Sequence, residues 1–407
     1  MTTAMGRDIV LFLGAGFSKD AGLPIMSAFG PESLKDYEGL KKHTLEDNFK
    51  NAAPMLVEAA KAFYAFQDLC RHSPILKSDD VDNLETVFCI AEAMNESGLV
   101  NIPLQGVLYK PEVLIQKIQL WLWKIYQQCP FLDPTRKKET REETYTDFFQ
   151  VLKQAGIWKR TTVISTNYDL IFEYMFLKNG VCCAYPFKEI SADIRTINAG
   201  HGLIPYVYDN QYDPEVDTVL CKLHGSVNFF EDESNINNHT LFIATDLGDV
   251  KPIGESYNFN GKPAIFAVDA IWKIQQEHGH LIPAIIPPTY AKLARKPWLR
   301  EIWRHAFDAI RNAKAIIFIG YSMTPSDGFM RALIHGAFAT GKDISSRNIF
   351  VIDPSPKVHD NYSKLFGAIY RDIGCHTLEW ALTTNILKGI LEVATKKEDD
   401  SDQNLPI

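Results

Sequence analysis

One short stretch near the start of the chain constrains its fold more than any other. The apolar run Ile9–Leu13 is aliphatic and brief, as is typical of a strand buried inside a parallel sheet. Gly14-Ala15-Gly16 follows directly, and then Ser18. Glycines after a buried strand let the backbone turn sharply and approach a ligand, and a helix that begins there directs N–H groups at a phosphate. The stretch therefore predicts a nucleotide site at the first turn of a Rossmann-like sheet.

The glycine pattern departs from the usual dinucleotide fingerprint. That fingerprint is G-x-G-x-x-G, and Lys19 stands where its third glycine is expected. The first two glycines alone therefore leave two readings open, a nucleotide site and an ordinary tight turn. The longer pattern G-A-G-x-S-x-x-x-G-x-P, which runs from Gly14 to Pro24, is a different one. Its meaning depends on the rest of the chain.

Composition restricts the class of protein. The chain has 407 residues, of which 46% are hydrophobic and 23% charged, as in an ordinary globular protein with a substantial core. Its formal net charge of −8 argues against a general nucleic-acid binder, although a local pocket could still take an anion. The seven cysteines form no C-x-x-C pair, which indicates reduced thiols. No apolar run reaches membrane-spanning length and no signal-peptide pattern opens the chain, so we expect a cytoplasmic protein without membrane contact.

Further buried strands are predicted along the chain, and each ends in a polar or glycine-containing turn. A lone asparagine or histidine at a strand end is usually structural. Ligands of open α/β sheets, however, bind at the carboxyl ends of the strands, so the set of turns predicts one shared site. The strands and turns are Thr161–Ser165 with Thr166-Asn167-Tyr168-Asp169, the run from Val219 with His224-Gly225-Ser226, Ala315–Ile319 with Gly320-Tyr321-Ser322, and Asn348–Ile352 with Asp353.

The segments between these strands predict the domain organisation. We expect an α/β fold with a Rossmann-like, mostly parallel sheet over residues 1–394. A large helical insertion is predicted over 31–128, and a smaller insertion of short strands and loops over 185–280. Residues 395–407 are acidic and polar, which predicts a disordered tail. The run Gly336–Asp343 nearly matches a P-loop, but Asp343 replaces the required Ser or Thr and a helix precedes it, so we reject that reading.

Taken in order, the turns resemble the motifs of the sirtuin family of NAD-binding proteins. The family's G-A-G-x-S turn corresponds to Gly14–Ser18, and its T-x-N-x-D strand end to Ser165–Asp169. Its L-H-G-S motif corresponds to Leu223–Ser226, and its late G-x-S motif to Gly320–Ser322. These matches lie between residues 9 and 354, so the resemblance extends over nearly the whole chain.

Departures from the family pattern indicate a particular branch. Protein-deacylating sirtuins carry paired C-x-x-C motifs for zinc, which this sequence lacks, so we expect no metal. The Phe-Arg of their cofactor loop is replaced within Ile25–Phe29. The segment from Ile286-Pro287-Pro288 to Gly320–Asp327 resembles bacterial sirtuin-like effectors of anti-phage defence, which hydrolyse NAD+ to nicotinamide and ADP-ribose. The resemblance implies a homo-oligomer that partners a HerA-type ATPase.

The resemblance also implies roles for individual residues. Asn167 and His224 correspond to the family's catalytic pair. Their chemistry suits that role, because an amide can orient water and a ribose hydroxyl, and a histidine can take a proton near neutral pH. Asp169 corresponds to the residue that recognises the nicotinamide amide. The residues expected to bind NAD+ are Gly14, Ala15, Gly16, Ser18, Thr166, Asp169, Gly320, Ser322 and Asp353.

Two other functions stay open at the level of the sequence. A protein deacylase that has lost its zinc would release nicotinamide only when an acyl-lysine peptide is present. A non-catalytic module that senses ADP-ribose-like nucleotides would bind without turnover. The presence of both Asn167 and His224 disfavours the non-catalytic module. The backbone acceptors with which deacylating sirtuins bind an acyl-lysine peptide are not recognisable in the sequence, which disfavours the deacylase.

Overall fold

A computed structural model of the chain describes most of the sequence. The described residues are 7–25, 29–43, 53–74, 81–126, 141–181, 183–186, 188–189, 203–207, 218–232, 241–244, 281–286, 296–323, 328–341 and 346–395. The strands are β1 (Ile9–Leu13), β2 (Ile102–Leu104), β3 (Val107–Tyr109), β4 (Thr161–Ser165), β5 (Cys183–Ala184), β6 (Lys188–Glu189), β7 (Leu203–Val207), β8 (Thr218–Lys222), β9 (Gly225–Asp232), β10 (Leu241–Ala244), β11 (Leu281–Ile285), β12 (Ala315–Ile319) and β13 (Asn348–Ile352). The α-helices are α1 (Ala15–Lys19), α2 (Phe29–His43), α3 (Ala53–Arg71), α4 (Leu84–Glu96), α5 (Pro111–Tyr126), α6 (Glu142–Gln154), α7 (Ile171–Asn179), α8 (Pro297–Asn312), α9 (Gly328–Thr340), α10 (Pro356–Phe366), α11 (Leu378–Thr383) and α12 (Ile386–Thr395).

The centre of the fold is a parallel sheet with the strand order β13-β12-β1-β4-β8-β5. β1 pairs in parallel with β12 on one side and with β4 on the other. The chain first builds the sheet outward from β1 through β4 and β8, and later returns to add β12 and β13 on the opposite side. This reversal beside β1 is the kind of position where doubly wound sheets bind ligands. The predicted fold class, a Rossmann-like and mostly parallel sheet with insertions, is confirmed.

The strand predictions agree closely with the structure because these strands are buried on both faces. Every residue of β1, β4 and β12 is buried, so each reads in the sequence as a continuous apolar or β-branched run. The predicted bounds of these three strands and of β13 match the structure residue for residue.

A second, antiparallel sheet has the order β11-β9-β10-β7-β6. It begins where the parallel sheet ends, because β9 follows β8 after only two residues, Leu223 and His224. Within the predicted smaller insertion the structure has the short strands β6, β7 and β10, while residues 190–202, 208–217, 233–240 and 245–280 lie outside the described part of the chain. His224 therefore stands at the junction of the two sheets.

The helices α2 to α5 belong to the predicted helical insertion, and α5 joins it to the rest of the fold. Trp123 of α5 donates from Nε1 to the carbonyl oxygen of Val227 in β9 at 2.8 Å. The Tyr126 hydroxyl donates to the carbonyl oxygen of Pro24, just after the glycine turn, at 3.0 Å. One helix thus contacts both the segment that follows the opening turn and the strand that follows His224. The boundaries proposed for the insertions stay predictions.

Some helices were not predicted from the sequence. These helices are α10 to α12, which occupy residues 356–395. The tail predicted to be disordered lies, apart from Thr395 at the end of α12, outside the described residues. Gly336 of the near P-loop lies inside α9, as expected for a match without P-loop geometry. None of the described helices has the length and apolar character that crossing a membrane requires.

Candidate functional site

The turn after β4, Thr166–Asp169, is attached to the opening turn by its first two residues. Thr166 donates from both its amide and its hydroxyl to the carbonyl oxygen of Leu13, at 3.0 and 3.3 Å. Asn167 donates from Nδ2 to the carbonyl oxygen of Gly14 and to the hydroxyl oxygen of Ser18, at 2.9 Å each. The predicted catalytic amide and the predicted phosphate-binding serine therefore lie in direct contact.

These contacts determine how the buried Asn167 amide is oriented. A backbone carbonyl can only accept a hydrogen bond, so the nitrogen of the side-chain amide has to face Gly14. Both hydrogens of Nδ2 are then committed, one to Gly14 and one to Ser18. The Asn167 Oδ1 atom is the part of this side chain that is left to act as an acceptor toward a ligand.

The other two residues of the turn contact the strands on the far side. The carbonyl oxygen of Tyr168 accepts from the Val227 amide at 3.0 Å and from the Ser226 hydroxyl at 3.2 Å. Asp169 is buried, and its Oδ1 atom accepts from the Ile171 amide at 3.0 Å at the start of α7. One carboxylate oxygen of Asp169 thus has a structural role, and the other remains for the predicted recognition of an amide.

His224 lies buried between aromatic rings at the junction of the two sheets, with 4% of its surface exposed. Its ring meets those of Tyr168 and Trp303 edge to face, at centroid distances of 6.2 and 6.4 Å. Gly225, which follows it, has a φ of +75°, and a Cβ there would lie 1.9 Å from the Ala284 carbonyl oxygen. Only glycine fits this turn, which lets the backbone pass close to β11 directly after His224.

The opening glycines are required chiefly by packing against the turn after β12. The Gly14 amide donates to the Ile319 carbonyl oxygen at 3.0 Å, and the Gly16 amide to that of Gly320 at 2.8 Å. A Cβ on Gly14 would lie 2.5 Å from the Gly320 carbonyl oxygen, and one on Gly16 would lie 2.8 Å from the Gly320 Cα. Since both amides are committed to the backbone, Ala15, at the first position of α1, is the residue of this trio whose amide is left for a phosphate.

The predicted residues for the adenosine half lie further along the same edge. Asp353 follows β13, its Oδ1 atom accepts from the Ser355 amide at 2.9 Å, and burial raises the pKa of its carboxyl. Ser322 is exposed and follows the Gly320 turn. These two residues make no side-chain contact with Asn167 or His224 among the hydrogen bonds of the described residues. They lie on the β12–β13 side of the opening turn, whereas His224 lies on the β8 side.

A buried ion pair below the site was not recognised from the sequence. Lys222, the last residue of β8, is 1% exposed and its Nζ lies 3.0 Å from Oε1 of Glu173, which is 6% exposed. Burial raises the pKa of the Glu173 carboxyl, and the charge of Lys222 opposes that shift. The signal available in the sequence was a lysine that ends a buried strand immediately before Leu-His-Gly.

The candidate site is thus assembled from turns at the carboxyl ends of five neighbouring strands. The family model for the SIR2-like domain matches residues 161–370 of this sequence, about half of the chain. The chain belongs to the SIR2-like family. The matched range includes Asn167, His224, Gly320, Ser322 and Asp353, while the opening turn lies before it and is joined to it by the contacts of Gly14, Gly16 and Ser18.

Two solved structures similar to this SIR2-like protein are complexes with ADP ribose or its acetylated form. One is a triple mutant of a Sir2 homologue in complex with 2'-O-acetyl ADP ribose, with 12% identity and a TM-score of 0.36 over 98% of this chain and 97% of that one. The other is a single mutant of a Sir2 homologue in complex with ADP ribose, with 11% identity and a TM-score of 0.34 over 98% and 96%. No curated protein sequence matches the chain significantly.

Within the parts of the SIR2-like chain that the structure describes, no group of three or more His, Cys, Asp or Glu side chains is arranged to hold a metal ion.

Proposed function

We propose that the protein is an NAD+ hydrolase that cleaves the bond between nicotinamide and ribose and releases nicotinamide and ADP-ribose. The observation that carries the proposal is the placement of Asn167 and His224. They follow the adjacent parallel strands β4 and β8, and Asn167 is bonded directly to the glycine turn. A carboxamide, an imidazole and a glycine turn at one sheet edge match what this reaction needs.

The reaction passes through an oxocarbenium-like state at the ribose. The nicotinamide is cationic before the bond breaks and neutral when it leaves, so the protein does not have to supply a strong acid. It has to hold the pyrophosphate, place a water molecule at the ribose and stabilise the developing charge. These tasks favour neutral polar groups and a weak base, which are the groups found at the site.

The geometry supports a distinct role for each candidate catalytic side chain. With its nitrogen committed to Gly14 and Ser18, Asn167 offers Oδ1 as an acceptor for water or a ribose hydroxyl. His224 would take the proton released when that water or hydroxyl attacks. Its burial between Tyr168 and Trp303 limits the orientations of the imidazole.

The phosphate-binding role rests on fewer groups than the sequence indicates. The amides of Gly14 and Gly16 already donate hydrogen bonds to backbone carbonyl oxygens. We therefore assign the pyrophosphate to the Ala15 amide and the Ser18 hydroxyl. Ser18 accepts from Asn167 and keeps its own hydrogen to donate. Gly320, Ser322 and Asp353 would then line the adenosine half, with the Asp353 carboxylate beside a ribose hydroxyl.

We further propose that this activity depletes NAD+ in anti-phage defence, in a cytoplasmic homo-oligomer that is controlled by a HerA-type ATPase. The support is the resemblance of the segment from Ile286 to Asp327 to such effectors. An enzyme that destroys a shared cofactor has to be controlled, and α5, which contacts the backbone at both Pro24 and Val227, is one element through which a partner could act on the site.

The test is to incubate the purified protein with NAD+ and quantify nicotinamide and ADP-ribose, with and without the ATPase. Equal amounts of both products, made without any peptide, would support the proposal. Product formation only with an acyl-lysine peptide would identify a deacylase instead. Saturable binding of NAD+ or ADP-ribose without turnover under either condition would favour the sensing module.

A further inference from the structure

The buried Lys222 is bonded to the main chain of the candidate site. Its Nζ donates to the carbonyl oxygen of Asp169, the last residue of the Thr166–Asp169 turn. In the pairing of β4 with β8, Lys222 lies opposite Ser165, the residue just before that turn. The ammonium group therefore joins the far end of the turn that carries Asn167 to β8, the strand beside which the turn begins.

Glu173 holds the ammonium group in this position. Its Oε1 atom lies 3.0 Å from the Lys222 Nζ and accepts a hydrogen bond from the Tyr185 hydroxyl at 3.0 Å. Asn228 donates from Nδ2 to the same hydroxyl at 3.2 Å. The Oε2 atom of Glu173 is buried without a hydrogen-bond partner among the described residues. The network thus joins α7, β8 and β9, with its bonds directed toward one oxygen of the carboxylate.

Stability alone does not account for such a pair. Moving two charges out of water costs several kcal/mol per ion, and well-packed apolar residues of similar size are often as stable or more so. What the pair supplies is an ammonium group held where it can donate to the Asp169 carbonyl oxygen. Apolar side chains could not replace this hydrogen bond. The other turn residues are already attached elsewhere, Thr166 to β1, Asn167 to the opening turn and Tyr168 to β9.

We propose that Lys222 is a positioning residue for NAD+ cleavage, held by Glu173, which fixes the Asp169 end of the turn and so the direction of the Asp169 carboxylate. The proposal rests on the proposed function. Without the ammonium group, the Asp169 carbonyl loses this donor and the turn relaxes at its Asp169 end. Small displacements of groups that orient the reacting atoms are costly to the rate, by as much as about 100-fold per Å.

The experiment separates positioning from stability by using two variants. Lys222→Met leaves Glu173 as an uncompensated buried charge, so it should lower the melting temperature. The double variant K222M/E173Q removes both charges and keeps an acceptor for Tyr185, so its melting temperature should recover. We expect kcat to stay about 10-fold or more below wild type in both variants, because the Asp169 carbonyl lacks its donor in each. The amides of residues 166–171 should also exchange hydrogen faster in both.

The control is the ion pair at the opposite edge of the sheet. Arg160 lies just before β4, and Asp8 lies just before β1. The Nε and Nη2 atoms of Arg160 donate hydrogen bonds to the Asp8 carboxylate at 2.8 and 2.7 Å. The double variant R160M/D8N should change the melting temperature without changing kcat or the exchange of residues 166–171. This comparison shows whether removing an ion pair between strand ends is enough to slow turnover.

Each outcome decides one of the two proposals. A K222M/E173Q protein with wild-type kcat and wild-type exchange of residues 166–171 would overturn the role of Lys222. If the wild-type protein does not cleave NAD+, the proposed function fails. The exchange measurement then still tests whether Lys222 positions the turn, because it needs no turnover.

Discussion

The side-chain nitrogen of Asn167 donates to the hydroxyl oxygen of Ser18 at 2.9 Å, across 149 residues of sequence. The same nitrogen also donates to the Gly14 carbonyl oxygen. A hydrogen bond therefore joins Asn167, which we propose orients the attacking water, to Ser18, which we propose binds phosphate. A change at either position should affect both binding and cleavage.

Replacing Asn167 tests this hydrogen bond. Asn167→Ala should abolish NAD+ cleavage and lower the free energy of unfolding by about 1–3 kcal/mol, because the buried Gly14 carbonyl and Ser18 hydroxyl lose a donor. Urea titrations of N167A, S18A and the double variant should give non-additive losses in the free energy of unfolding, with a coupling of about 0.5–3 kcal/mol. Strictly additive losses would show that the two side chains act independently.

The role of His224 is tested by removing its imidazole. His224→Ala should lower kcat by ~10²–10⁴-fold, as expected for the loss of a general base. His305→Gln provides a matched control, since His305 lies on α8 outside the site and its replacement should leave kcat within about twofold of wild type. Circular dichroism should show both variants folded. Near-full turnover by H224A would remove His224 from the mechanism.

The close contact between the two glycine turns gives a prediction about stability. Gly320 has a φ of +62°, and a Cβ there would lie 2.3 Å from the Phe17 nitrogen. Gly320→Ala should therefore destabilise the protein by at least about 1–3 kcal/mol, the usual cost of such backbone strain. Gly389, in α12, has no heavy atom within 4 Å of an added Cβ. Gly389→Ala should instead stabilise it by about 0.5–1 kcal/mol, because glycine is unfavourable inside a helix. Thermal melts that show equal effects would contradict the packing argument.

His305 should make the protein less stable in acid. Burial lowers the pKa of its imidazole to about 4, with Arg304 adding to the shift, against an ordinary value of 6.5. Between these values the unfolded chain binds a proton that the folded chain does not, so the free energy of unfolding falls as the pH drops from about 6.5 to 4. In urea titrations, His305→Gln should reduce this fall and leave stability at pH 8 nearly unchanged. An identical pH slope in the variant would show that His305 does not cause it.

The central strands and the order of their turns could be determined from the sequence alone. Strands β1, β4 and β12 are buried on both faces, so their apolar runs are local signals with sharp ends. Parallel strands place their carboxyl ends at one edge, which is why the turns that carry Asn167, His224 and Gly320 could be assigned to one site before any distance was known. The SIR2-like match over residues 161–370 agrees with that assignment of family.

Only the tertiary structure decided what each polar group in the site is bonded to. The sequence predicts phosphate-binding amides at Gly14 and Gly16, but both donate to carbonyl oxygens at the end of β12 or just after it, about 300 residues away in the chain. The ion pair of Lys222 with Glu173 and the hydrogen bond of Lys222 to Asp169 could not be predicted either, since they join β8 to α7 and to the turn before it, across 49 and 53 residues. Burial of apolar residues leaves a periodic local pattern, whereas a hydrogen bond depends on where a distant partner arrives, and that is decided when the sheet assembles.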